Sequence, residues 1–144
     1  MYDRILVPTD GSECADRAVE HAIDLAAQYD AELRVLSVID ARDVGHSAPA
    51  ISVDQVEATL RERAESVVEA VADRAAEAGV DVETAVEPGI PDDVITEYAG
   101  EEDCDLVVMG THGRTGLERY LLGSVTERTV RRSPVPVLTV RDTE

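Results

Sequence analysis

The sequence contains no lysine, no phenylalanine and no tryptophan, and its basic residues are 13 arginines set against 31 aspartates and glutamates. Without lysine it cannot carry the G-K-[ST] phosphate loop of the Walker type, and it has no G-x-G-x-x-G run either. A formal net charge of −18 at pH 7 argues against a nucleic-acid partner, because phosphate-backbone binders present basic surface. It argues against an anionic membrane surface for the same reason. The two cysteines, Cys14 and Cys104, make neither a C-x-x-C pair nor a ligand cluster with the three scattered histidines, so no zinc site is expected and each reads as a small buried filler. No apolar run approaches the roughly 20 residues needed to span a bilayer. Met1-Tyr2-Asp3-Arg4 enters a short apolar run without the h-region and cleavage site of a signal peptide. The expected location is the cytoplasm, with no membrane contact.

What is present is a chain of 144 residues, 44% of them hydrophobic, expected to fold as one domain with an ordinary core. The excess of acid suits either a solvated acidic surface that keeps the protein soluble or a halophilic archaeon, whose cytoplasmic salt would screen the self-repulsion over roughly 3 Å at 1 M; the arginine-only basicity favours the halophile.

Apolar runs of strand length alternate with helical periodicities. Strands are expected over 5–7, 32–39, 80–87, 106–109 and 135–140. Helices are expected over 12–29, 53–78, 91–100 and 124–132, with an irregular segment at 40–52. Asp10 or Ser12 can cap the first helix, with Glu13 three residues after Asp10 as in a capping box, and Gly79 is placed to stop the second. Alternation of this kind means βαβ units and a parallel sheet. The first, second and fourth strands are near-continuous apolar runs, as expected with both faces covered, and the third and fifth alternate as edges do. Right-handed crossovers then give an open five-stranded sheet of order 3-2-1-4-5, with helices on both faces. Ligands of such sheets bind at the carboxyl ends of the strands where the chain reverses direction. Those ends are Pro8-Thr9-Asp10-Gly11 and Met109-Gly110.

The second of these ends opens Met109-Gly110-Thr111-His112-Gly113-Arg114-Thr115-Gly116, followed by Gly123-Ser124-Val125-Thr126-Glu127. Gly110, Gly113 and Gly123 are spaced G-x2-G-x9-G. Glycines let main-chain N–H groups approach an anion, a helix opening at Ser124 offers further unpaired N–H groups, and Arg114 is a counter-charge. The same residues also suit a plain turn, with Ser124 and Glu127 as a capping box, and spacing alone leaves both readings standing. Asp10 similarly suits either ligand contact or helix capping, and His112 either phosphate contact or packing beside the loop.

This glycine run, with Leu122-Gly123-Ser124-Val125-Thr126-Glu127, the ending Ser133-Pro134-Val135-Pro136-Val137-Leu138 and the start Ile5-Leu6-Val7-Pro8-Thr9-Asp10-Gly11-Ser12, resembles the universal stress protein (UspA-like) family over the whole chain. The intact motif matches the ATP-binding branch. The resemblance implies a Rossmann-like, adenine nucleotide alpha hydrolase-like fold, a homodimer, and bound ATP or a related adenine nucleotide, with Mg²⁺ as an accompanying ion held mostly by phosphate oxygens and water. Carried over by position, Pro8, Thr9 and Asp10 match residues beside the adenine and ribose, and Val38 matches an adenine contact. Gly110, His112, Gly113, Arg114, Gly123, Ser124, Val125 and Thr126 match the ribose and phosphate loop, with Met109 at the strand end beside them.

Three functions follow. The first is a nucleotide-dependent stress-response or regulatory module. The second is a slow ATPase or phosphotransferase, which would need an oriented nucleophile and strong charge neutralisation; no lysine and no evident base–nucleophile pair supply them. The third is a nucleotide-free interaction protein, which the intact motif disfavours. The apolar residues Val135, Val137, Leu138 and Val140 on an edge strand invite pairing with a second copy.

Overall fold

The computed structural model describes residues 1–40, 53–112 and 122–141. Five parallel strands form one sheet: β1 (Arg4–Pro8), β2 (Glu32–Asp40), β3 (Val82–Gly89), β4 (Leu106–Gly110) and β5 (Val137–Val140). Their order is β3-β2-β1-β4-β5, as the strand patterns predict. The helices are α1 (Glu13–Tyr29), α2 (Val53–Glu77), α3 (Pro91–Glu101) and α4 (Ser124–Arg132).

Burial explains the order. All five residues of β4 are buried, as are four of the five in β1, whereas no residue of β3 and only Val140 of β5 is buried, and side chains such as Leu138 are exposed. Because successive strand side chains point to opposite faces, β1 serves two cores. Ile5 and Val7 pack under α1 and α2 with Ala18, Val19, Ala22, Val68, Val71 and Ala75. Leu6 packs on the other face with Leu36, Ile95, Ala99, Val107 and Met109, beneath α3 and α4. The small residues on α1, Ala18, Ala22 and Ala26, are all fully or almost fully buried, which lets that helix lie close to the sheet.

Several expected boundaries shift, each for a local reason. The first helix is capped by Ser12, whose hydroxyl accepts from the Ala15 amide at 3.2 Å. Asp10 instead accepts from the Ser12 amide at 2.9 Å, so the Asp10–Glu13 capping box does not form. Gly79, at φ +77°, ends α2 as expected, and the Val80 amide donates back to the Ala75 carbonyl at 2.9 Å. That bond ties Val80 to the helix end, so β3 starts at Val82. At the other edge the Ser133 hydroxyl both donates to the Val135 carbonyl and accepts from its amide. This turn delays β5 to Val137.

The strand ends opposite the expected site carry the densest ion pairing among the described residues. Arg34, buried within β2, pairs with Glu32 at 2.5 Å, Glu102 at 2.7 Å and Glu83 at 3.2 Å, and donates to the Tyr98 hydroxyl. Burial would push the Glu32 carboxyl up, but the hydrogen bonds and charges of Arg34 and Arg4 outweigh it and hold Glu32 below the usual carboxylate value. Burial pushes the nearby Cys104 thiol up to about 11. Both cysteines are buried and free.

Candidate functional site

At the carboxyl edge of the sheet the ends of β1, β2 and β4 enclose a cavity of about 430 Å³. This lies within the roughly 300–1,000 Å³ usual for small-molecule sites. Its floor comes from Pro8, Thr9 and Asp10 after β1, Val38, Ile39 and Asp40 at the end of β2, and Met109 and Gly110 at the end of β4. The Thr9 amide donates to the Leu36 carbonyl at 2.8 Å, which carries the β1–β2 ladder one residue past Pro8 and holds the turn beside β2. Within that turn the Thr9 hydroxyl accepts from Gly11 and the Asp10 carboxylate from Ser12.

The α4 side is fixed just as locally. The Gly123 amide donates to the Thr111 carbonyl at 2.7 Å, and the Thr111 amide to the Val140 carbonyl at 3.1 Å. The Thr126 hydroxyl, buried, donates to the Gly110 carbonyl at 2.8 Å. These bonds pin the start of α4 over the end of β4. The N-cap is Gly123, which has no side chain to cap the helix. The capping box that Ser124 and Glu127 could have made is therefore absent: Ser124 is the first helical residue, and Glu127 pairs with Arg131 at 2.7 Å. A helix start leaves its first amides without intrahelical acceptors and carries a partial positive charge. Gly123, Ser124, Val125 and Thr126 all line the cavity, so this helix end opens onto it.

Gly110 serves a different purpose from the one its place in the loop suggests. A Cβ there would stand 2.7 Å from Cys14 Sγ and 2.9 Å from the Cys14 carbonyl oxygen. The missing side chain thus lets the first turn of α1 lie against β4; it does not make room for an anion. Cys14 completes the support beneath the loop, accepting from the His112 amide at 3.4 Å and lying 3.7 Å from the Thr111 hydroxyl. His112 is buried, with Nδ1 3.3 Å from Thr111 Oγ1.

The family model of the universal stress proteins matches residues 1–141. The chain belongs to the universal stress protein family. It is 40% identical over 142 residues to universal stress protein MJ0531 of Methanocaldococcus jannaschii, covering 98% of this chain and 83% of that one. The solved structure of MJ0577, a universal stress protein of the same organism, superposes with a TM-score of 0.89 at 34% identity, covering 100% of this chain and 99% of the other. A universal stress protein solved in complex with cAMP matches at 31% identity with a TM-score of 0.72, covering 99% of this chain and 98% of the other.

Eleven of the thirteen residues expected at the site are brought to this one cavity: Pro8, Thr9, Asp10, Val38, Met109, Gly110, His112, Gly123, Ser124, Val125 and Thr126. Gly113 and Arg114 lie outside the described residues. The cavity also has a wall that the sequence reading did not anticipate. Leu60, Arg63, Ala64 and Val67 of α2 line it, as do Pro91 and Ile95 of α3. Leu60, Ala64 and Val67 belong to the apolar stripe of α2, and Arg63 sits on the stripe's flank, where an arginine ordinarily reads as solvated surface.

Proposed function

We propose that this universal stress protein holds ATP or a related adenine nucleotide in the cavity and acts as a nucleotide-dependent stress-response or regulatory module. The observation that carries the reading is the convergence on one cavity of a helix N-terminus with a glycine N-cap, at Gly123 and Ser124, and an apolar wall that includes Pro8, Val38, Ile39 and Met109. The first suits phosphate and the second suits a base. The relative solved with cAMP supports an adenine guest. Bound nucleotide would favour one conformation or one partner, and the output would be a population shift.

Binding is favoured over turnover by the charges. The described residues lining the cavity include one arginine, Arg63, and the sequence has no lysine and no evident base–nucleophile pair for phosphoryl transfer. Among the described residues no group of three or more His, Cys, Asp or Glu could hold a metal. A Mg²⁺ arriving with the nucleotide would therefore be held chiefly by phosphate oxygens and water, with Asp10 and Asp40 at hand. Two further parts of the reading are a cytoplasmic, high-salt setting and a homodimer across β5, where Leu138 is 38% exposed. The test is to purify the protein in molar KCl, extract its small molecules and follow added ATP. Retained ATP without release of ADP supports the module. Multiple turnovers would make it an enzyme, and failure to retain any adenine nucleotide would refute the reading.

A further inference from the structure

We propose that Arg63 of α2 is a ligand-contacting residue that pairs with the phosphates of the bound nucleotide and sets a preference for ligands carrying more phosphate charge. This rests on the nucleotide reading above and adds to it a second anion contact, on the helix across the cavity from α4. Arg63 lines the cavity beside Leu60, Ala64 and Val67. In this acidic chain Arg4, Arg34, Arg74, Arg128, Arg131 and Arg132 are all committed to ion pairs. Arg63 pairs with no carboxylate among the described residues.

The sequence of α2 explains why. Side chains three and four residues apart meet on a helix, and those positions around Arg63 are Thr59, Leu60, Ser66 and Val67. Arg17 and Arg61, which have acidic residues at the same spacing, also make no ion pair among the described residues, but neither lines the cavity. An acidic helix thus leaves one arginine with neutral neighbours on the face that meets the cavity. The guanidinium is a rigid planar fork whose donors match phosphate oxygens two at a time. Among the described residues lining the cavity Arg63 is the one arginine.

The experiment titrates ATP, ADP, AMP and adenosine into the parent protein and into Arg63→Gln and Arg63→Lys at one fixed KCl concentration. Arg63 is exposed, so circular dichroism and melting should match the parent in both variants. Arg63→Gln is expected to weaken ATP by roughly tenfold or more, the scale of a hydrogen bond to a charged group. It should weaken ADP and AMP progressively less and leave adenosine unchanged, with Arg63→Lys in between. An equal loss for adenosine and ATP would overturn the proposal in favour of a wall that packs on the nucleoside. Unchanged ATP affinity would overturn it outright while leaving the nucleotide reading standing. A parent that binds neither adenosine nor ATP would overturn both.

Discussion

Replacing Gly110 by alanine tests how the site is built. The added Cβ would lie 2.7 Å from Cys14 Sγ, 2.9 Å from the Cys14 carbonyl oxygen and 3.0 Å from its carbonyl carbon. Favourable carbon contacts begin at about 3.5 Å, so the first turn of α1 or the end of β4 has to move by several tenths of an ångström. Two of the three obstructing atoms are backbone, and no rotamer change removes them. Forcing a methyl group into such a contact costs about 1–3 kcal/mol. The displaced turn also carries the Ser12 cap, and it follows directly on Pro8, Thr9 and Asp10, so nucleotide affinity should fall together with stability. The assay is denaturant unfolding in molar KCl, with ATP titration alongside. Adding Cys14→Ala removes the sulfur but neither backbone atom, so the double variant should recover only part of the loss. A Gly110→Ala protein as stable as the parent, or one fully rescued by Cys14→Ala, would refute the close approach as the reason for glycine here.

Three other outcomes follow from the ion pairs and the charge. Asp92, 2% exposed, joins α3 to α4 through Arg128 at 3.2 Å and Arg132 at 2.8 Å; Asp92→Ala should lose about 1–3 kcal/mol by denaturant unfolding, towards the low end because both arginines stay half-solvated. The Glu32 carboxyl is held below its unfolded value, so its stabilisation is fully present above that value and is lost as pH falls through the folded one; Glu32→Gln should flatten the acid limb of a stability-against-pH curve, and an unaltered limb would contradict the pairing. With a net charge of −18, the protein should unfold as KCl is withdrawn, followed by circular dichroism; unchanged stability in dilute buffer would argue against a halophilic setting.

The sheet order could be read from the sequence because burial leaves a mark on each strand. Leu106-Val107-Val108-Met109 is apolar throughout and sits inside, while Val82, Thr84 and Val86 alternate with Glu83, Ala85 and Glu87 and sit at an edge. Element ends were less legible, since they depend on single bonds such as Val80 to Ala75 and the Ser133–Val135 turn. Most of the site was visible because it lies in two short stretches, 8–10 and 109–126, joined by the parallel topology. The α2 wall was not, because Arg63 lies about 60° around the helix from Leu60. At that angle only the packing against β2 and the turn at Gly11, where a Cβ would meet Val67 at 3.1 Å, decides whether the residue meets solvent or the cavity. The purpose of Gly110 was hidden for a similar reason: its neighbour Cys14 is distant in sequence.

The most direct test of the nucleotide site is calorimetric titration of nucleotide-stripped protein with ATP in molar KCl, run beside a Val38→Trp variant whose indole would fill the cavity. The parent should bind one ATP per chain saturably, and the variant should lose that binding with its fold intact. No saturable binding by the parent, or binding that Val38→Trp leaves unchanged, would contradict the nucleotide site.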